Sequence, residues 1–246
     1  MKAAKLGVVI AGLFILPSVA GALEIVAGPY LQNPSETSMT VMWITDRPCT
    51  SWVECGRGKS LDRKVYHSRD GLIDAGQTVH RVDVTDLTPG TPYRYRVCSK
   101  EIVQFEPYEV TYGQTTMSAV YTFTTLDSKK SRTSFIVLND IHERNEILAS
   151  LVKRVEPGSY DFVLLNGDIL GHIEDERQII DHVLVPCTEL FASRTPFLYV
   201  RGNHETRGKF ARMLPNYLAT PTDRYYYSFD HGPVHFLIMD SGEDKE

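Results

Sequence analysis

Three short polar clusters in the second half of the chain combine residue types that could do metal chemistry: Asp140-Ile141-His142, Asn166-Gly167-Asp168 and Asn203-His204. Carboxylate oxygen, imidazole nitrogen and amide oxygen are ligand atoms for divalent metals such as Mn, Fe or Zn. The Asp-x-His spacing puts two of them on one tight turn, so Asp140 and His142 can reach the same ion. Asp168 has two oxygens and can bridge a pair of ions about 3.5–4 Å apart. Such a pair binds a hydroxide and holds ester oxygens for in-line displacement. His204, beside the metals, could donate a proton to a leaving alkoxide or stabilise charge on phosphoryl oxygens. Any one of these clusters alone would be weak, because an Asp after a strand is often only a helix cap. Three together are hard to attribute to chance.

The elements that must position them follow from the apolar pattern over 133–246. Apolar runs at Thr133–Leu138, Tyr160–Leu165 and Pro196–Val200 read as strands, each ending just before one of the polar clusters. Between them, Glu143 to about Val155 shows a helical stripe (Ile147, Leu148, Leu151, Val152, Val155), and Glu174–Val183 a second. Alternating strand and helix predicts a largely parallel sheet covered by helices, whose carboxyl ends converge on the ligand crevice. Tyr225–Phe229 and Val234–Asp240, joined at Asp230-His231-Gly232, read as a hairpin.

Residues 23–127 have a different texture. Short alternating runs (38–44, 51–55, 79–84, 93–98 and 119–124) are separated by turn residues such as Asn33-Pro34-Ser35 and Thr88-Pro89-Gly90, which predicts an all-β sandwich. The run Leu87 to Tyr95 resembles the tyrosine corner of fibronectin type III domains, with Tyr93 as the corner residue and Trp43 as the buried tryptophan. On the residues alone this domain also suits a spacer or adhesive module. His80 reads as structural, His67 shows no nearby ligand partner, and Lys129-Lys130-Ser131-Arg132 reads as a solvated linker over 128–132. Four cysteines, three of them in the first half, announce neither a disulfide framework nor a metal site.

Residues 1–22 read as an export signal: Lys2 and Lys5, an apolar core from Leu6 to Leu16, then small residues, with cleavage expected before Gly21 or Leu23. A core of that length is too short to span a bilayer, so the chain is expected to be secreted or periplasmic without a stable membrane anchor. The net charge of −5 gives no support for nucleic-acid binding. It also leaves an anionic substrate without attraction unless bound metal ions supply the positive charge.

Taken together, Asp140-Ile141-His142, Gly167-Asp168 and Gly202-Asn203-His204-Glu205 resemble the first three motifs of the calcineurin-like metallophosphoesterases. Gly28–Asn33 with Met39–Trp43 resembles the N-terminal domain of purple acid phosphatases, and Tyr225–Phe229 with Val234-His235-Phe236 resembles that family's central hairpin. The resemblance implies a fibronectin type III-like sandwich followed by an α/β domain of the four-layer α+β type. It further implies an acid phosphatase-like phosphomonoesterase acting on small phosphate esters through a dinuclear centre of Fe, Mn or Zn. Asp140 and His142 would bind the first ion, Asp168 would bridge, Asn203 would bind the second, and His204 would face the phosphate. A phosphodiesterase or nucleotidase of the same superfamily, or a non-catalytic binding module, are the alternatives.

Two departures qualify the resemblance. The tyrosine that colours true purple acid phosphatases is replaced by Gly171, so an uncoloured site is expected. The family's two downstream histidine motifs have no counterpart before Glu246, so the reading expects only the N-terminal part of the catalytic domain, which leaves the activity of this chain by itself open, with apolar sheet faces exposed. His231 and His235 lie on the hairpin and are not expected to substitute. His172 reads as a solvent-facing loop residue and His182 as a surface helix residue.

Overall fold

The computed structural model describes residues 21–222 and 224–240, so the expected leader over 1–22 lies almost wholly outside the described residues. The β-rich half contains β1 (Ile25–Gln32), β2 (Met39–Gly56), β3 (Arg63–Val65), β4 (Ser68–Arg69), β5 (Leu72–Ile73), β6 (Gln77–Val84), β7 (Pro92–Glu106), β8 (Glu109–Met117) and β9 (Tyr121–Thr124). The two strands expected at 38–44 and 51–55 are one strand. The front of β2 pairs with β1 and β6, its back with β3 and β7, and the partners change around Pro48. A proline cannot donate to a ladder, but at a point where a strand changes partners that loss is small. Sequence pattern shows the break in alternation there and not the continuity of the backbone.

The bend folds the two halves of β2 over each other. Val41, Trp43, Val82 and Val84 meet Val53, Tyr93, Tyr95, Val97 and Phe123 in one core. Tyr93 makes the corner bond, its hydroxyl accepting from the Thr88 N–H at 2.9 Å. Trp43 is fully buried and its indole donates to Ser99 Oγ at 2.8 Å. All four cysteines are free and buried. His67 Nδ1 meets Asp74 Oδ2 at 2.5 Å.

His80 is buried beside Trp43, ring centroids 5.1 Å apart, and its Nε2 meets Thr45 Oγ1 at 2.9 Å. Burial pushes it down from its ordinary 6.5 to about 4, against a weaker upward pull from Asp74. Between those values the unfolded chain binds a proton that the folded one refuses. Stability is therefore intact above pH 6.5 and falls as pH drops toward 4, by up to about 3 kcal/mol. Thermal unfolding across that range should show the loss, and His80→Gln should flatten it. An unchanged slope in the variant would assign acid lability elsewhere.

The second half places β10 (Phe135–Leu138), β11 (Phe162–Asn166) and β12 (Phe197–Val200) in a parallel sheet in that order. α1 (Asn145–Val152) is shorter than the sequence stripe predicts. A longer helical segment, α2 (176–192), replaces the expected 174–183. It alternates α turns with wide π turns at Ile180–Leu184 and Thr188–Ala192, around Pro186, which has no N–H for a regular α ladder. Strand β11 is covered on both faces: Val163 and Leu165 pack with the helices, while Phe162 and Leu164 pack with the hairpin β13 (Tyr227–His231) and β14 (Val234–Ile238). At the edge, Phe135 and Val137 are exposed, as are Leu237 and Met239 at the end of the hairpin.

The sandwich is no free spacer. Ala27, Tyr30, Met42 and Ile44 join the helix-side core of the second half. The Tyr30 hydroxyl donates to Tyr217 O at 2.9 Å and the Tyr95 hydroxyl to Ser193 O at 2.8 Å. The segment read as a solvated linker is also tied down, since Lys130 pairs with Asp161, which His231 Nε2 approaches at 3.0 Å. Burial would raise the Asp161 carboxyl, but Lys130, the Ser134 N–H and His231 together hold it below its ordinary range.

Candidate metal centre

The three strands end level, and the loops that follow are laced to one another. The Asp140 N–H donates to Gly167 O, the His142 N–H to Asp168 O and the Glu143 N–H to Ile169 O, so the β10–β11 ladder continues past the strands. Asp140, His142 and Asp168 all have positive φ, of 56°, 47° and 53°. Such conformations are uncommon for non-glycine residues and collect at functional sites.

Glu205 binds the Asp168 loop to the loop after β12. Its side chain is 1% exposed and accepts five hydrogen bonds: from the N–H groups of Asp168, Ile169, Leu170 and Gly202 at 2.8–3.1 Å, and from the Tyr199 hydroxyl at 3.0 Å. An ionised carboxylate is acceptor-only, which suits this ring of donors. Burial, with the Glu205 charge beside it, pushes the Tyr199 hydroxyl well above its ordinary range and keeps it a donor. Two glycines let the loops touch. A Cβ on Gly167 would sit 2.9 Å from Gly202 Cα, and one on Gly202 would overlap Asp168.

All five sequence-predicted site residues converge here. One ligand atom each from His142, Asp168 and His204 lies within 4.8 Å of the others. Asp140 Oδ1 is 3.7 Å from His142 Nε2, on the solvent side. Asn203 lies between Asp168 and Arg207: oriented to satisfy both, its amide nitrogen is 3.2 Å from each Asp168 oxygen and its oxygen accepts from Arg207 Nη2 at 2.8 Å. Half a turn of the amide would present its oxygen on the Asp168 side, where a cation could take it. With its carboxylates, imidazole and amide oxygen, the donor set fits a divalent metal.

His204 Nδ1 donates to the Gly171 carbonyl at 2.8 Å, which leaves Nε2 as the free nitrogen. Its ring stands edge-on to His142, centroids 4.5 Å apart, and its backbone N–H donates to Asp168 Oδ1 at 3.1 Å. The other histidines stay out. His231 is buried on Asp161, and His235 is exposed on Asp230. His172 is exposed in its loop, and His182 is half-buried against Asn145 rather than fully on the surface.

Sequence reasoning missed three contributors. Glu205 stands in the motif, yet its role as clasp depends on donors some 35 residues upstream. The Gly171 carbonyl has no side-chain signal at all. Arg207 falls just past the motif and folds back over His204.

Comparison with known proteins agrees with this layout. The purple acid phosphatase N-terminal domain family matches residues 28–125, and the calcineurin-like phosphoesterase family matches residues 133–243. Acid phosphatase type 7 of Mus musculus is 26% identical over 219 residues, covering 85% of this chain and 46% of that protein. The Homo sapiens protein is 26% identical over 220 residues, covering 85% and 47%. The structure of purple acid phosphatase PPD1 from yellow lupin (Lupinus luteus) seeds superposes with a TM-score of 0.64 at 15% identity, covering 92% of this chain and 46% of that one. The chain thus spans about half the length of the relatives it matches.

Proposed function

We propose, for a chain that joins a purple acid phosphatase N-terminal domain to a calcineurin-like phosphoesterase domain, a metal-dependent hydrolase of small phosphate esters, acid phosphatase-like in its preference for monoesters. The observation that carries this is the convergence of His142, Asp168 and His204, with Asp140 and Asn203 beside them, at the ends of three parallel strands. The family implies a dinuclear centre, and Fe, Mn or Zn suits the donors. Asp140, His142, Asp168 and Asn203 would hold the ions. When bound, they supply Lewis acidity for the phosphoryl group and a water-derived nucleophile.

The chain's own residues do the rest. Asp168, fixed through its backbone N–H by Glu205, would hold metal with its carboxylate. His204, with Nδ1 committed to Gly171, aims Nε2 at the site and can carry the proton that the leaving alkoxide needs. Gly171 leaves no phenolate at the position that gives true purple acid phosphatases their colour.

We place the protein outside the cytoplasm, on the order of charge, apolar core and small residues over 1–22. Among the described residues no helix is long and apolar enough to cross a membrane. The Tyr93–Thr88 corner bond and buried Trp43 support a fibronectin type III-like sandwich.

The test is phosphate release from an aryl monoester, an aryl diester and a nucleotide, each with added Mn, Fe or Zn. Metal-dependent turnover with the monoester fastest is expected, reduced about 10³-fold or more in Asp168→Asn. Metal-independent turnover, or equal turnover by the variant, would sink the proposal.

A further inference from the structure

The sequence leaves an anionic substrate without a cationic side chain to meet it, on a chain of net charge −5. The fold supplies one. Arg207 Nη1 lies 3.2 Å from both ring nitrogens of His204. A position equidistant from the two places Nη1 over the ring, in line with neither lone pair. Arg207 Nη2 donates to the Asn203 amide oxygen at 2.8 Å when the amide is oriented to satisfy both neighbours, its nitrogen then facing Asp168. Arg207 thus sits against two of the site residues, His204 and Asn203.

Arg207 is also well placed in its backbone. Its N–H donates to His204 O at 3.1 Å, and its carbonyl accepts from the Ile173 N–H at 2.9 Å. Gly208 follows at φ +94°, so close to Ile173 that a Cβ there would overlap its backbone. Two nearby arginines are committed elsewhere: Arg144 donates to the Asp140 and Ile141 carbonyls at 2.7 and 2.8 Å, and Arg201 pairs with Asp240 at 2.6 Å. The Arg207 side chain is exposed at the mouth.

Resting on the phosphoesterase reading above, we propose that Arg207 is a substrate-binding residue that takes a non-reacting oxygen of the phosphoryl group and sets a preference for monoester dianions over diester monoanions. A guanidinium suits phosphate because its donors form a fixed fork, and a second negative charge on the ester strengthens the pair.

The experiment is calorimetric titration of inorganic phosphate into the metal-loaded protein, with metal content measured on the same samples of wild type, Arg207→Ala and Arg207→Lys. The alanine variant should keep its metal and lose phosphate affinity about 10- to 100-fold, with lysine between the two. The monoester-to-diester ratio of kcat/KM should fall in parallel. Unchanged phosphate affinity at unchanged metal content would overturn the Arg207 assignment and leave the hydrolase reading standing. Loss of metal from the alanine variant would overturn it too, making Arg207 a support for Asn203. A metal-loaded wild type that binds no phosphate would overturn both.

Discussion

Glu205→Ala should leave the protein unfolded or insoluble at ambient temperature. The substitution strips five donors of their acceptor at once, inside a site where the side chain is 1% exposed. Each buried donor left unsatisfied costs about 1–3 kcal/mol. Even at the low end the sum approaches the total stability of a typical domain, about 5–15 kcal/mol. Glu205→Gln should fare little better, because its NH₂ would face backbone N–H groups that need acceptors. Denaturant unfolding of the soluble fraction checks this, and a variant within about 1 kcal/mol of wild type would show that water substitutes for the carboxylate.

Gly202→Ala should have the opposite profile, with the fold kept and the site lost. A Cβ there would stand 2.5 Å from the Asp168 N and 2.9 Å from Glu205 Oε2, and would overlap Asp168 Oδ1. None of those atoms is the free end of a flexible chain: one is backbone, and two belong to carboxylates held by hydrogen bonds. The loops must part, at an overpacking cost of about 1–3 kcal/mol. Displacing Asp168 then removes its oxygens from where His142 and Asn203 can share an ion with it. Metal affinity should fall about 100-fold or more, against a modest drop in melting temperature. Wild-type affinity in this variant would mean that the strand-end loops are more compliant than their hydrogen bonding implies.

The contrast between these two residues shows what a sequence reveals of such a site. Asp140, His142, Asp168, Asn203 and His204 were legible because metal chemistry restricts residue type and each follows an apolar run. Parallel strands bring such ends together whatever lies between them. Glu205 and Gly202 were visible as letters only, because a clasp is defined by what it holds, and the amides of 168–170 carry no side-chain signature. Arg207 was invisible for a related reason: its meaning comes from folding back over His204. In the first half, alternation exposed most strands but cut β2 at Pro48, where the chain bends without ending. The joint between the halves, Tyr30 to Tyr217 and Tyr95 to Ser193, depends on partners far apart in the sequence, which no local pattern encodes.

The central claim is that these five residues form a cation-binding site, and metal content tests it most directly. The purified protein should be stripped with chelator, reloaded with Mn, Fe or Zn, dialysed, and analysed beside Asp168→Asn treated identically. The account predicts bound metal in the wild type, at least one ion per chain, and near-complete loss in the variant with its unfolding transition preserved. Equal metal in the two proteins, or none in a folded wild type, would contradict it.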